Sequence, residues 1–437
     1  MSVVRGKIPC PFTYWGGAYL VKSTRFAPPG LLEAMILPFD QALRTVEEKL
    51  SGAVPNTSTE TLPLTETLGR ILAEDVFADR DYPPFHRSAR DGFAVRSSDF
   101  TSLPVTLTCV GEIRAGGYFR SSIGQGQCIS IMTGAPLPEG ADAVVMVEHA
   151  QVEDSQVIFQ RPIRAFENVI HKASEAAQGD RVLSRGQRLG AGEIGLLAAI
   201  GKVSVKVFRK PSVAVLATGD ELVGMNQRPE WFQIRNSNSS LLAAQITQAG
   251  GIAQILETAP DEVTALRRLI KQGLAADLLL LSGGVSAGKY DLVEQVLAEL
   301  GAEFYFQKVA IRPGMPVVFG RVAEKFFFGL PGNPVSTYVT FRVFVWPTIR
   351  ALSGAPFAKP LFLRARLASS VSRKPELTTF VPAWVDSKEG VPTVDPVKWQ
   401  GSGDLVGLAA ANSFLVVHPE RARLEAGEWA DVMLVDH

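Results

Sequence analysis

The sequence predicts a multidomain α/β protein: a central parallel α/β domain, a β-rich N-terminal region before it and a small C-terminal β-barrel after it. Three observations carry this. Between residue 211 and about residue 355, apolar strand-like runs alternate with amphipathic helical stretches, the pattern of a parallel sheet covered on both faces. Leu103 to Ile163 reads as short strands broken by turn residues. From about Pro360 onward the segments are short and alternating, with no helical period, which suits a small barrel. At 437 residues the chain exceeds what one core holds, so roughly two to four domains are expected.

Taken in order, the first 34 residues carry Pro9, Pro11, Gly16, Gly17, Pro28, Pro29 and Gly30 and have no periodic pattern. They read as a disordered extension or start-site artefact, with Met35 as the natural start and no signal-peptide core. A natural N-terminus mapped by mass spectrometry to residue 1 or 2 would overturn that expectation. Phe39, Leu43, Val46 and Leu50 have helical spacing. Leu62-Pro63-Leu64 and the apolar stretch Ile71 to Phe77 follow. The middle strands are interrupted at Ala115-Gly116-Gly117 and at Ala135 to Gly140. Gly190 to Ala199 is helix-like and leads into an alternating strand, Lys202 to Lys210. Then come VAVLAT before Gly219, ADLLLL before Ser282 and FFFGL before Pro331, separated by helical stretches such as Asn238 to Ala249 and Val263 to Gln272.

Composition excludes several function classes. Lysine plus arginine equals aspartate plus glutamate, 44 each, so no global field favours nucleic acid or an anionic membrane. Any anionic ligand must be met by locally placed groups. Cys10, Cys109 and Cys128 are odd in number and lack C-x-x-C spacing, which argues against a disulfide framework or thiolate zinc site. A reducing compartment, the cytoplasm, fits best. No run of 18 apolar residues predicts a membrane helix.

In an open α/β sheet, ligands bind beyond the carboxyl ends of the strands. Ala217-Thr218-Gly219-Asp220-Glu221-Leu222 puts two adjacent carboxylates there, suited to a hard cation such as Mg2+, although a turn with a capping Asp explains them equally. Ser282-Gly283-Gly284-Val285-Ser286-Ala287-Gly288-Lys289-Tyr290-Asp291 can turn backbone N–H groups onto a phosphate oxygen. A helix beginning near Asp291 would add its dipole, and Asp291 beside a phosphate again points to Mg2+. In Gly329-Leu330-Pro331-Gly332-Asn333-Pro334, Asn333 suits an N-cap and Pro334 the first helical turn. Lys308 and Arg312 supply cations near a strand end. The segments Ser88 to Arg96 and Ile131 to Gly140 are unusual; Asp91-Gly92 alone signals only a turn.

Together, S-A-R-D-G-F-A-V-R, M-T-G-A-P-L-P-E-G-A-D-A-V-V, T-G-D-E-L, S-G-G-V-S-A-G-K-Y-D, A-I-R-P-G-M-P, L-P-G-N-P-V-S and Gln400-Gly401-Ser402 resemble the molybdopterin molybdenumtransferase family. This is the MoeA family of bacteria and the E domain of gephyrin, and the resemblance runs from about Leu37 to the C-terminus. It implies a division into 35–60 with 165–210 as an elongated linking and dimerisation domain, 61–164 as the β-rich domain, 211–358 as the molybdopterin-binding domain and 359–437 as the barrel. It further implies a homodimer with its cleft between the α/β domain of one subunit and the β-rich domain of the other. The implied reaction inserts molybdate into adenylylated molybdopterin with release of AMP, assisted by Mg2+.

By position, the resemblance implies that Asp91 and Thr133 act across the dimer at the molybdate or metal end. Glu221, with Asp220, and Asp291 would hold Mg2+ or orient water, with Asp261 at a related acidic position. Gly219, Ser282, Gly283, Gly284 and Ser286 would lie against the phosphates, and Lys308 and Arg312 would neutralise them. Pro331, Asn333 and Pro334 would shape the pocket, and Ser402 would reach in from the last domain. Implied partners are a molybdopterin adenylyltransferase and molybdoenzyme maturation proteins, with no nucleic acid and no membrane.

The chain departs from the family pattern in places. Ser174-Glu175-Ala176 stands where Gly-Glu-Asp is common, Met315 where a second cation is common, Leu377 near the place of a usual arginine, and Arg87-Ser88-Ala89-Arg90-Asp91 where Asn-Ser-Ala-Met-Asp is common. Two other readings stay open here. One is an adenylyltransferase-like or CinA-like nucleotide enzyme sharing only residues 211–355. The other is a non-catalytic paralogue that binds pterin or molybdate, or a scaffold.

Overall fold

Phe39, Ala42, Leu43 and Val46 line one face of helix α1 (Phe39–Ser51), and all four are buried, as their spacing requires. The computed structural model describes residues 36–51, 58–284, 292–373, 376–421 and 423–435. The first 34 residues, Met35, Ser286 and Asp291 lie outside these. The chain divides into two units, one of Thr59–Val207 and one formed by the residues up to Ser58 and from Phe208 onward.

In the unit of residues 59–207, six strands make one curled sheet: β1 (Gly92–Val95), β2 (Val105–Ile113), β3 (Gln127–Ile131), β4 (Ala143–Met146), β5 (Ala150–Glu153) and β6 (Gln156–Phe159). Their order is β4-β1-β3-β2-β6-β5, with β2 and β3 parallel and the other pairs antiparallel. Alternation along the strands explains the two cores. Phe93, Val95, Leu107, Val145, Val157 and Phe159 pack on one face, whereas Ala94, Ile113, Ile129, Ile131 and Val144 pack on the other. A third cluster gathers Leu72, Val76, Leu189, Leu197 and Val205 around helix α2 (Ala191–Ala199), the helix expected from GAGEIGLLAA.

The other unit holds the α/β sheet: β7 (Ser212–Ala217), β8 (Ile252–Ile255), β9 (Leu278–Ser282), β10 (Glu303–Phe306), β11 (Val318–Val322) and β12 (Lys325–Leu330), in the order β8-β7-β9-β12-β11-β10. The first four strands in that order are parallel, as expected. β11 runs against them, because β11 and β12 are joined as a hairpin, and the edge strand β10 pairs antiparallel to β11. Its two turn residues, Ala323 and Glu324, both take positive φ (46° and 65°). That is the twist a two-residue hairpin needs, made here without glycine.

Side-chain alternation sorts this sheet onto two faces. Val213, Val215, Leu278, Leu280, Phe326 and Phe328 pack with α1, α3 (Ser237–Gln248) and α6 (Pro334–Thr340). Ala214, Leu216, Leu279, Leu281 and Phe327 pack with α4 (Val263–Gly273) and α5 (Leu292–Glu299). The apolar face of α4 is Leu266, Leu269, Ile270 and Gly273. Gly273 allows contact so close that a Cβ there would meet Leu279 at 2.6 Å. Burying each such leucine or phenylalanine contributes about 1.5–3 kcal/mol. Helix α1, grouped by the family resemblance with residues 165–210, contributes Phe39, Leu43 and Val46 to the first of these faces, and Leu37 before it joins them.

The C-terminal strands β13 (Leu363–Leu367), β14 (Thr378–Lys388), β15 (Val391–Pro396), β16 (Ser413–Val417) and β17 (Trp429–Leu434) close into a five-stranded barrel. Closure runs β14-β15-β13-β17-β16 and back to β14. Leu367, Val381, Val394, Leu415 and Val432 fill its interior. No helix among the described residues is long and apolar enough to cross a membrane.

Candidate active site

Each parallel strand delivers a loop at its carboxyl end, and backbone geometry explains the residues found there. After β7, Gly219 adopts φ +143°, and a Cβ at that position would sit 2.5 Å from a Glu221 carboxylate oxygen. Asp220 and Glu221 are exposed. The Asp261 N–H donates to Asp220 Oδ1 at 3.1 Å, which brings a third carboxylate to the group. Burial, followed by the negative charges of Asp220 and Glu221, raises the Asp261 carboxyl above its ordinary range. The donors are all hard oxygens, suited to Mg2+. Among the described residues, however, no three His, Cys, Asp or Glu side chains converge as a metal site.

After β9, Gly283 and Gly284 take φ +89° and +65°. Side chains there would strike the Thr218 carbonyl oxygen at 2.7 Å and the Thr218 hydroxyl at 2.8 Å. Ser282 is buried, and the Gly283 N–H donates to the Leu330 carbonyl at 3.2 Å. Loops β7 and β9 are therefore in contact, and only glycine fits between them. Ser286 and Asp291, which continue the second loop, lie outside the described residues.

After β12, Pro334 opens α6 as expected, and Asn333 takes the N-cap position. The Asn333 side chain makes no capping bond; the Asn333 backbone carbonyl accepts the Thr337 N–H at 2.9 Å. The Asn333 amide is exposed and free to face a cleft of about 1340 Å³. Arg312, Met315, Pro331, Asn333, Arg373 and Ser402 are among the residues lining that cleft. Two tertiary links bring the barrel to it. The Val335 N–H donates to the Ser402 carbonyl at 2.9 Å, and Ile311–Arg312 pairs in parallel with Thr378–Thr379 of β14.

Arg373 is the residue that sequence reasoning missed. It is half-buried, and burial together with the charge of Arg312 lowers its pKa from the ordinary arginine value. Two guanidiniums in one cleft call for an anion. The usual family arginine is expected near Leu377, which also lines the cleft, but the cation lies four residues earlier, beside Ser372. The available signal was the basic pair Arg373-Lys374 closing an alternating segment. Lys308 is not among the cleft-lining residues; it stands beside Glu294, whose carboxyl is raised by burial and lowered in part by Gln307 and Lys308.

Asp91 and Thr133 belong to the other unit and contact each other. Thr133 donates both its N–H and its hydroxyl to Asp91 Oδ1, at 2.7 and 2.9 Å. These bonds, the backbone one first, hold the exposed Asp91 carboxyl below its ordinary range. Gly92 is required beside it, since a Cβ would lie 2.0 Å from the Val145 carbonyl oxygen. The nearby departures are accommodated locally. Arg87 pairs with Glu175 at 2.9 Å, and the Tyr82 N–H donates to the Ala176 carbonyl at 2.8 Å.

Comparison with known proteins follows the same segments. The family description "MoeA N-terminal region (domain I and II)" matches residues 37–201, "Probable molybdopterin binding domain" matches 214–351, and "MoeA C-terminal region (domain IV)" matches 364–435. The chain is 35% identical over 410 residues to a molybdopterin molybdenumtransferase of Bacillus subtilis (strain 168), covering 91% of this chain and 94% of that one. It is 35% identical over 382 residues to one of Staphylococcus aureus (strain MSSA476), covering 86% and 91%. The crystal structure of a molybdopterin biosynthesis MoeA protein from Pyrococcus horikoshii OT3 superimposes with TM-score 0.76 at 27% identity, covering 91% of this chain and all of that one.

Proposed function

The chain belongs to the molybdopterin molybdenumtransferase family, and on that premise we propose that it inserts molybdate into adenylylated molybdopterin, releasing AMP and forming molybdenum cofactor. The observation that carries this reading is the cleft in which Arg312 and Arg373 bear on each other. Such a pair is relieved by an anion, and both substrates are anions. An adenylyltransferase-like or CinA-like activity would leave residues 37–201 and 364–435 without a role.

In this reading the dithiolene sulfurs of the pterin bond to molybdenum while an oxygen of molybdate leaves as water. Water cleaves the phosphoanhydride and AMP departs. Arg312 and Arg373 neutralise oxyanion charge, and Asn333 and Ser402 offer neutral hydrogen bonds at the same cleft. Gly219, Gly283 and Gly284 let the loops that would face the phosphates pack where no side chain fits. Asp91, kept ionised by Thr133, serves as a fixed carboxylate at the molybdate end. Mg2+, when held by Glu221, Asp261 and Asp291, would supply charge neutralisation for the phosphates. The reading further takes the protein as a cytoplasmic homodimer. A molybdopterin adenylyltransferase would provide its substrate and molybdoenzyme maturation proteins would take up its product.

The test is AMP release from adenylylated molybdopterin by the purified protein, with and without molybdate, beside Asp91→Ala. Molybdate-dependent release that Asp91→Ala lacks is the expected result. Tight binding of both substrates with no release would replace the transferase by a carrier.

A further inference from the structure

Asn238, in the first turn of α3, joins two of the three strand-end loops through a single atom. Its amide nitrogen donates to the Ser282 hydroxyl oxygen at 2.9 Å and to the Gly332 carbonyl at 2.8 Å. The carbonyl of Gly332 accepts only, so the amide nitrogen faces it and the orientation of Asn238 is set. Since Ser282 accepts from Asn238, its own O–H proton is unspent among the described residues and points away from the amide.

A second observation shows that the corner is built for something more. The Thr218 hydroxyl and the Asn238 side-chain carbonyl oxygen are both buried with no hydrogen-bond partner among the described residues. Thr218 is only 4% exposed, and it lies against Gly283 and Gly284. Buried polar groups are nearly always paired, and orphans gathered at the ligand end of a parallel sheet call for a ligand to complete them.

We propose that Asn238 is a positioning residue: its amide nitrogen, held by the Gly332 carbonyl, orients the Ser282 hydroxyl as a donor to a phosphate oxygen of the ligand. The assignment rests on the reading of this site as one for an adenylylated ligand, with AMP as the simplest carrier of the phosphate. Asn238 acts through Ser282, so removing either residue removes the same donor. Asn238→Asp is nearly isosteric but turns the Ser282 proton inward, toward a carboxylate, and sets a negative oxygen against the Gly332 carbonyl.

The experiment is a double-mutant cycle on AMP affinity, measured by calorimetry on the full chain, with Asn238→Ala, Ser282→Ala and the pair. Each single change is expected to weaken AMP binding about tenfold, and the pair no more than either alone. Asn238→Asp, which keeps the volume, is expected to match Asn238→Ala and keeps the cycle readable if alanine fails to fold. Independent losses that multiply in the pair, or an Asn238→Asp that binds AMP as wild type does, overturn the proposal. AMP binding needs no turnover. A wild type that binds AMP but shows no molybdate-dependent release would sink the transferase reading while the cycle still decides on Asn238.

Discussion

The two ends of the α/β sheet treat their carboxylates in opposite ways. At the amino end, Asp277 precedes β9 and accepts from the Ser212 N–H at 2.7 Å, the Ser212 hydroxyl at 2.9 Å and Arg209 at 2.9 Å. Burial opposes its charge, but these bonds outweigh burial and hold the carboxyl below its ordinary range. At the carboxyl end, Asp261 is pushed the other way by burial and by Asp220 and Glu221. Thr218 and Asn238 there carry buried atoms with no partner among the described residues. The amino end is complete in itself and contributes stability. The carboxyl end sets carboxylates against one another and leaves buried polar atoms unpaired among the described residues, and it contributes function.

The largest expected effect breaks the carboxyl end. Glu221→Gln should lower molybdate-dependent AMP release by roughly a hundredfold, as loss of one electrostatic contact at a reacting phosphate does. Its thermal midpoint should hold or rise, because one charge of a repelling group is gone. A large drop in midpoint would place Glu221 with the structural carboxylates and erase the contrast between the two ends.

Asp277→Asn should do the reverse. It keeps the shape but loses the charge-assisted bonds to Arg209, at a cost of about 1.5–3 kcal/mol in stability, while AMP release per folded molecule stays the same. The pH dependence follows from the direction of the shift. A carboxyl depressed in the folded state stabilises fully above its unfolded value near 3.8, and that stability is lost as pH falls through the lower folded value. Wild type should therefore lose a stabilising increment on acidification that Asp277→Asn has already lost, measured by urea unfolding between about pH 5 and pH 2. Parallel pH profiles for the two proteins would mean Asp277 carries no net charge effect.

How much of this was legible varies with distance along the chain. The runs VAVLA, LLLL and FFFGL announced buried strands, and the glycines after them announced loops that tolerate no side chain. Those are local facts. The antiparallel strand β11 was hidden because its hairpin turns on Ala323 and Glu324, where the usual glycine or asparagine signal is missing. Arg373 was hidden for another reason. Its meaning depends on Arg312, sixty-one residues away, and on a barrel strand that brings the two into one cleft. Asn238 read simply as part of an amphipathic helix, because its contacts with Ser282 and Gly332 exist only after the sheet has formed.

Arg373 gives a smaller effect that sharpens the comparison. Arg373→Gln should raise KM for molybdate or for the adenylylated pterin about tenfold, with kcat changed less, the pattern of lost anion binding. Whichever substrate shows the larger change is the one whose anion the arginine pair meets. A KM unchanged for both would remove Arg373 from the site.

The smallest expected effect asks whether Asp91 in the other unit resembles Asp277 or Asp261. Its carboxyl is lowered, as that of Asp277 is, but by a backbone N–H and one hydroxyl from the exposed Thr133 and by no cation. Thr133→Val removes the hydroxyl and leaves the N–H, so the Asp91 carboxyl should rise part of the way toward 3.8, read by NMR titration of its side chain. Folding should be little altered, since both residues are exposed. A small upward shift of the acid limb of the AMP-release profile in the same variant would show Asp91 working as an anion. A shift in the NMR titration with no movement of that limb would make the Thr133 contact a local turn lock, and Asp91 would then belong with the self-contained carboxylates of the amino end.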